Sequence, residues 1–233
     1  MILEHDYKSF LNNKRVAFIG PAPNLIGRGL GEYIDSFDIV VRTNHFIELV
    51  SDPEIQKDYG KKTTVLYVNR QYYREMKPFD FSKWARRGVE WVCAKYMKPK
   101  DRKDLRKYMR YRDVRETLKQ LTSKCPSVLM GVVAMSEIVE ARPKEFYVDG
   151  IDFNSTRKKV FEVGNYQEYI PGYLPPVIEA QGNIINVGKN EDGHDMISNT
   201  GLIYQMWQAK EITFPEHIEK ILCGIMSGDI SQR

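Results

Sequence analysis

The sequence predicts an α/β protein with a Rossmann-like, mostly parallel sheet, flanking helices and an irregular lid. Three observations carry that reading. Short apolar runs such as RVAFIG (15–20) and TTVLYVN (63–69) suit strands buried on both faces. Stretches long enough for a crossover helix separate these runs. A hydrophobic fraction of 42% over 233 residues can fill a sizeable core, so residues 1–233 are expected to form one domain.

Taken in order, RVAFIG ends the first strand on Gly20, and the loop PAPNLIGRGLGEYI follows, its glycines and prolines permitting close backbone approach to a ligand. DIVVRTN (38–44) is a second strand. TTVLYVN is the third, introduced by the turn YGKK, and VEWVCAK (89–95) is the fourth. The helical spacing of Leu105, Met109, Val114 and Leu118, with charge on the other faces, predicts one basic helical segment over 100–121. Pro126 opens an apolar helix, SVLMGVVAMSEIVEA, with small residues at Gly131, Ala134 and Ser136. EFYVDGIDF (145–153) is a further strand. Residues 154–193, punctuated by Pro171, Pro175 and Pro176, are expected to form the lid. A last helix begins near Asp195 and contains LIYQMW.

Composition narrows the setting. No run of 18 or more apolar residues occurs, so no membrane span is expected. The opening stretch MILEHDYKSFLNNKR lacks the apolar core and small-residue cleavage site of a secretory signal, which favours a cytoplasmic location. Cys93, Cys125 and Cys223 are odd in number and match no metal motif, and are expected to be reduced, buried thiols. The mild net charge of +4 conceals a local excess: Lys83 to Lys119 holds fourteen Lys or Arg against five Asp or Glu. Such a run is either a solvated helix face or a footprint for a phosphate-rich partner.

In a parallel sheet, ligands bind beyond the carboxyl ends of the strands at the topological switch point. Asn44 closes the second strand, Asn69 closes the third, and the GPAPN loop follows the first, which suggests a shared pocket. Familiar phosphate signatures are missing. GRGLG (27–31) does not have the spacing of a dinucleotide fingerprint, and no Gly-Lys-Ser/Thr occurs. No D-x-D element occurs, and aspartate pairs such as Asp35/Asp38 and Asp149/Asp152 stand three apart, so no bound metal is expected.

Of four histidines, His5, His45, His194 and His217, the third follows the run GKNEDG and precedes a helix start. An imidazole there can take a proton from an attacking hydroxyl near neutral pH, whereas the plainer reading is a surface histidine without a role.

Longer motifs sharpen these expectations. VAFIGPAPNLIGRGLGEYIDSFDIVVRTN (16–44) resembles the large sialyl motif of glycosyltransferase family 29, matching at Gly20, Asn24, Leu25, Gly31, Ile34, Asp35, Asp38, Arg42 and Asn44. PSVLMGVVAMSEIVEARPKEFYVDGIDF (126–153) is similar to the small sialyl motif, and its GIDF ending also resembles the bacterial sialyltransferases of family 42. HDMISN (194–199) resembles the very small motif, whose first His is the family's general base. Departures are Pro21 for the usual asparagine, Asn199 for the terminal glutamate, and NYQE (165–168) in place of a histidine-containing motif.

The resemblance implies a sialyltransferase-type fold and inverting, metal-independent transfer from a CMP-sugar, with a UDP-sugar as the other donor considered. It places Gly20, Asn24, Asn44, Asn69, Ser127, Gly131, Gly150 and Asp152 around the donor, and makes His194 the base. Lid tyrosines Tyr166, Tyr169 or Tyr173 would meet the leaving phosphate, with Arg42 and Arg70 as further candidates. The acceptor is a glycan or small molecule. Alternatively it is DNA, gripped by Lys98, Lys100, Arg102, Lys103, Arg106, Lys107 and Arg110, as in viral modification of a hydroxymethylated base. A non-catalytic nucleotide-binding module is the third reading.

Overall fold

The computed structural model describes residues 4–75, 80–151, 153 and 196–227. At its centre lies one six-stranded sheet whose strands all run parallel. The strands are β1 (Arg15–Ile19), β2 (Ile39–Thr43), β3 (Val65–Val68), β4 (Trp91–Ala94), β5 (Arg110–Asp113) and β6 (Glu145–Asp149), in the order β5-β4-β3-β2-β1-β6. The chain moves outward from β1 to β5 and then returns to the other side of β1. The switch point therefore lies between β1 and β6.

Alternation along each strand supplies two faces. On one, Val16, Phe18, Val41, Tyr67, Cys93 and Val148 pack beneath α1 (Glu4–Leu11), α8 (Arg115–Thr122), α9 (Met130–Glu140), α10 (Met196–Gln208) and α11 (Glu216–Ser227). The other face divides into two clusters. Ala17, Ile19 and Val40 meet α2 (Gly31–Asp35), α3 (Phe46–Leu49) and α4 (Pro53–Tyr59). Leu66, Val68 and Val92 meet α5 (Arg70–Glu75), α6 (Phe81–Arg86) and α7 (Pro99–Leu105). Burial on both faces is why the strands read as unbroken apolar runs.

Local signals explain several boundaries. Asp52 caps α4 by accepting the Glu54 amide at 2.9 Å, with Pro53 in the first helical position. Gly31 lets α2 lie against α4: a Cβ there would stand 1.9 Å from the Gln56 carbonyl oxygen.

The expected basic helix over 100–121 is instead three elements, α7, the edge strand β5, and α8. Backbone pairing of β5 with β4 outweighs the helical spacing of four apolar residues, and Arg112 turns inward from that strand. Its guanidinium bonds Glu137 Oε1 through Nε (3.1 Å) and Nη2 (2.9 Å). The same carboxylate also accepts from Thr117 and Tyr67. A buried carboxylate with this many donors tolerates loss of its cation poorly.

Cys93 and Cys125 are buried, but Cys223 is exposed on α11, because its position there falls on the helix face opposite the core residues Ile218 and Leu222. The expected lid lies outside the described residues. None of the described helices is long and apolar enough to cross a membrane.

Candidate active site

The carboxyl ends of β6, β1, β2 and β3 stand side by side and carry Gly150, Gly20, Asn44 and Asn69 in that order. Three strand spacings of about 4.8 Å make this a row of roughly 14 Å.

At the switch point, backbone meets backbone. The Gly20 amide donates to the Asp149 carbonyl at 2.9 Å, and the Ala22 amide to the Gly150 carbonyl at 2.8 Å. A Cβ on Gly20 would fall 2.4 Å from the Gly150 oxygen. One on Gly150, at φ +65°, would fall 2.3 Å from the Gly20 oxygen. Both positions therefore require glycine, and with the Ile151 side chain, which lies against Gly20, they form the floor of the switch point. Asn24 reaches across this floor, donating from Nδ2 to the Ile151 carbonyl at 3.1 Å. Its Oδ1 is buried and has no donor among the described residues.

The two strand-end asparagines are joined. Asn44 sits at φ +50°, a left-handed conformation that asparagine tolerates, and its Oδ1 accepts the Asn69 amide at 2.8 Å. Asn69 Oδ1 in turn accepts the Tyr72 amide at 2.8 Å, closing the first turn of α5. Each asparagine thus spends its oxygen on the fold, and its Nδ2 has no acceptor among the described residues.

Helix α9 begins over the same edge. Gly131 lies against Phe18 near the end of β1, where a Cβ would come 3.2 Å from the ring tip. Leu129 at the cap supplies no side-chain acceptor, and no acid stands in the first turn. This helix start consequently presents partial positive charge toward the strand ends. Ser127 lies just ahead of it. Asn199 of α10 ties the two segments together, with Oδ1 accepting the Leu129 amide (2.8 Å) and Nδ2 donating to the Ser127 carbonyl (2.9 Å). The residue that departs from the very small motif has a structural task. His194, Asp152, Tyr166, Tyr169 and Tyr173 lie outside the described residues.

The structure ties up the GRGLG loop, which the sequence already sets aside as a phosphate signature, and Arg42, which it offers as a phosphate partner. The amides of Gly27 and Gly29 are bound to the two oxygens of Asp58, each at 2.8 Å, so the GRGLG loop is clamped and offers no cradle through them. Arg42 is fully buried. It bonds the Tyr59 carbonyl at 2.6 Å, the Gly60 carbonyl at 3.2 Å and the Lys62 carbonyl at 3.1 Å, closing the end of α4. Desolvation pulls its pKa down to about 9.

The basic run is also partly neutralised. Arg102 lies 3.8 Å from Asp113, Lys107 2.9 Å from Asp104, and Arg110 3.9 Å from Glu90 with its guanidinium over Trp91. Arg106 lies over Tyr111. Lys98, Lys100 and Lys103 have no carboxylate within 4 Å among the described residues.

One pair was not anticipated from the sequence. Asp149, wholly buried at the end of β6, accepts from Tyr147 (2.6 Å), from the Gly150 amide (2.7 Å) and from His217 Nε2 (3.1 Å). Burial, then the bond to Asp149, pushes the Tyr147 hydroxyl above its ordinary range. Arg28 Nη1 stands 3.3 Å from His217 Nδ1. A guanidinium only donates, so Nδ1 accepts and the ring proton resides on Nε2, facing Asp149. Its only sequence signal was one histidine among four.

A sequence model described as glycosyltransferase family 29 (sialyltransferase) matches residues 5–135. Among solved structures, a mammalian sialyltransferase in complex with Gal-beta-1-3GalNAc-ortho-nitrophenol aligns with a TM-score of 0.53 at 16% identity. The alignment covers 90% of this chain and 71% of that one. The sialyltransferase CstII from Campylobacter jejuni, in complex with the substrate analogue cytidine-5'-monophosphate, aligns at 0.50 and 15% identity, covering 87% and 79%. At such identities the likeness concerns the fold. No protein of curated function matches the chain. With more than half of its length matched, the chain belongs to glycosyltransferase family 29, the sialyltransferases.

Proposed function

We propose that this glycosyltransferase moves a sugar from a CMP-sugar to an acceptor hydroxyl on a glycan or small molecule, with inversion and without a metal. The observation that carries the reading is the row of strand ends in which the closely packed backbone of Gly20 and Gly150 stands beside the Nδ2 groups of Asn44 and Asn69, which have no acceptor among the described residues, and beside the start of α9. A flat nucleoside fits beside strand ends that two glycines hold close together. A phosphate fits beside a helix start whose own first turn carries no acid and whose cap residue offers no side-chain acceptor.

His194 takes the proton of the acceptor hydroxyl. The acceptor oxygen bonds to the anomeric carbon as the bond from that carbon to the donor phosphate breaks, and CMP leaves with the electron pair. A single displacement of this kind inverts the anomeric centre. Oriented amides at the start of α9, with the lid tyrosines, offset the charge on the departing phosphate. The absence of a D-x-D element from the sequence supports transfer without a metal.

The test is direct. CMP and CMP-sugars are expected to raise the melting temperature more than UDP- or GDP-sugars. His194→Ala should retain that shift while losing about 10²–10⁴-fold in transfer, the usual contribution of a positioned base. Chelator should leave the wild-type rate unchanged. Undiminished turnover by the alanine variant overturns the assignment of the base, and absence of any CMP shift overturns the donor.

A further inference from the structure

Beside the donor row, between β3 and β4, lies a cleft of about 460 Å³ lined by Arg70, Tyr73, Arg74, Tyr96 and Lys98. Arg70 and Arg74 stand one turn apart at the start and end of α5, and so project from the same side of that helix. Lys98 approaches from the opposite wall, where it precedes α7. None of these three cations has a carboxylate within ion-pair distance among the described residues. Neighbouring acids are committed elsewhere: Glu75 pairs with His45 at 3.0 Å, and Asp101 accepts from the Tyr73 hydroxyl. That hydroxyl also accepts the Lys98 amide at 2.9 Å, which fixes the two walls relative to each other. Tyr96 is 41% exposed, with the Arg70 guanidinium 5.5 Å and Lys95 Nζ 4.8 Å from its ring centre.

Like charges gathered without counter-charges repel one another, and the field they create attracts an anion. Two guanidinium forks suit phosphate or carboxylate oxygens, and an exposed ring beside them suits the apolar face of a sugar. The donor phosphate has its own partner in the start of α9, and the cleft opens on the residue after Asn69, on the side of the row away from Gly20 and Gly150. Resting on the donor assignment above, we infer that this cleft holds the anionic part of the acceptor, a saccharide carrying a phosphate or carboxylate, and turns its free hydroxyl toward the strand ends.

The test titrates the protein, saturated with CMP at fixed ionic strength, with galactose 6-phosphate, galacturonate and galactose, followed by NMR. The two acidic sugars are expected to bind and galactose to bind far more weakly. The exposed triple variant Arg70→Gln/Arg74→Gln/Lys98→Gln should lose about tenfold or more in affinity for the acidic sugars, with CMP affinity unchanged. Equal binding of charged and neutral sugars overturns the inference while leaving the donor assignment standing. Parallel loss of CMP affinity in the variant assigns the cleft to the donor instead. A duplex oligonucleotide that binds more tightly than galactose 6-phosphate and is lost in the variant replaces the saccharide with nucleic acid. A chain that binds galactose 6-phosphate but neither CMP nor a CMP-sugar overturns the transferase reading, and with it the acceptor role of this cleft.

Discussion

The side-chain oxygen of Asn44 accepts the backbone amide of Asn69 at 2.8 Å, so two residues 25 apart in sequence form one unit at the ends of neighbouring strands. Asn44→Ala removes that acceptor and places alanine at φ +50°. Together these should cost about 2 kcal/mol. Asn44→Asp keeps the acceptor and the tolerance for this backbone, so stability should hold within about 0.5 kcal/mol. It exchanges the free Nδ2 donor for negative charge, however, and CMP affinity should fall about tenfold or more. Denaturant unfolding and CMP titration of both variants separate the two roles. An aspartate variant with native CMP affinity would remove Asn44 from the donor site.

Glycine substitutions should divide sharply. Gly20→Ala and Gly150→Ala each drive a Cβ within 2.4 Å of the facing backbone oxygen, which cannot retreat without parting β1 from β6. Losses of about 3 kcal/mol or more are expected, together with loss of CMP binding. Gly131→Ala meets only the tip of the Phe18 ring at 3.2 Å and gains helix propensity of up to about 1 kcal/mol. Its melting temperature should be unchanged or higher. Comparison of the three melting curves suffices, and a tolerated Gly20→Ala contradicts the close approach.

Arg42 offers a test of structure against catalysis. Arg42→Lys keeps a positive charge but loses the fork that holds the carbonyls of Tyr59, Gly60 and Lys62. A loss of about 2–3 kcal/mol in unfolding free energy is expected, with native CMP affinity below the melting temperature. A variant of native stability that fails to bind CMP would return Arg42 to the phosphate.

Alkaline pH should weaken the fold. Burial, first among the causes, raises the Cys93 thiol and the Tyr7, Tyr67 and Tyr72 hydroxyls above their ordinary values of 9.0 and 10.0. The unfolded chain releases these protons first, so the stability they confer is complete below about pH 9 and falls as pH rises beyond it. Arg42 works in the opposite direction, since its folded state sheds a proton above about 9 and gains with pH. Tyr147, raised by burial as well, adds to the first side, so the raised groups outweigh Arg42 and stability falls between about pH 8 and 10.5. Urea unfolding at the two pH values measures it. In the same native protein at pH 8, iodoacetamide should modify exposed Cys223 and spare buried Cys93 and Cys125 until urea is added.

Much of this architecture was legible because its signals are local. RVAFIG, DIVVRTN and TTVLYVN read as buried strands through composition alone, and their ends delivered Gly20, Asn44 and Asn69 to one edge of the sheet. The order of motifs along the chain likewise points to the family. The stretch around 100–121 misled because four apolar residues at helical spacing fit a helix, while the backbone of Arg110–Asp113 found a partner in β4.

The sequence by itself determined five of the six strands, the glycines at the strand ends and the family, since periodicity, glycine placement and motif order are written along the chain. Only the tertiary structure decided which charges stand alone. Arg42 and Arg70 look alike in sequence, yet one is sealed beneath helix-end carbonyls and the other lines an open cleft. Asp149 and His217 meet across 68 residues, and Arg112 finds Glu137 across 25. The partner of a charge is set by folding distant segments together, and burial then fixes whether that charge holds the protein or remains free for a ligand.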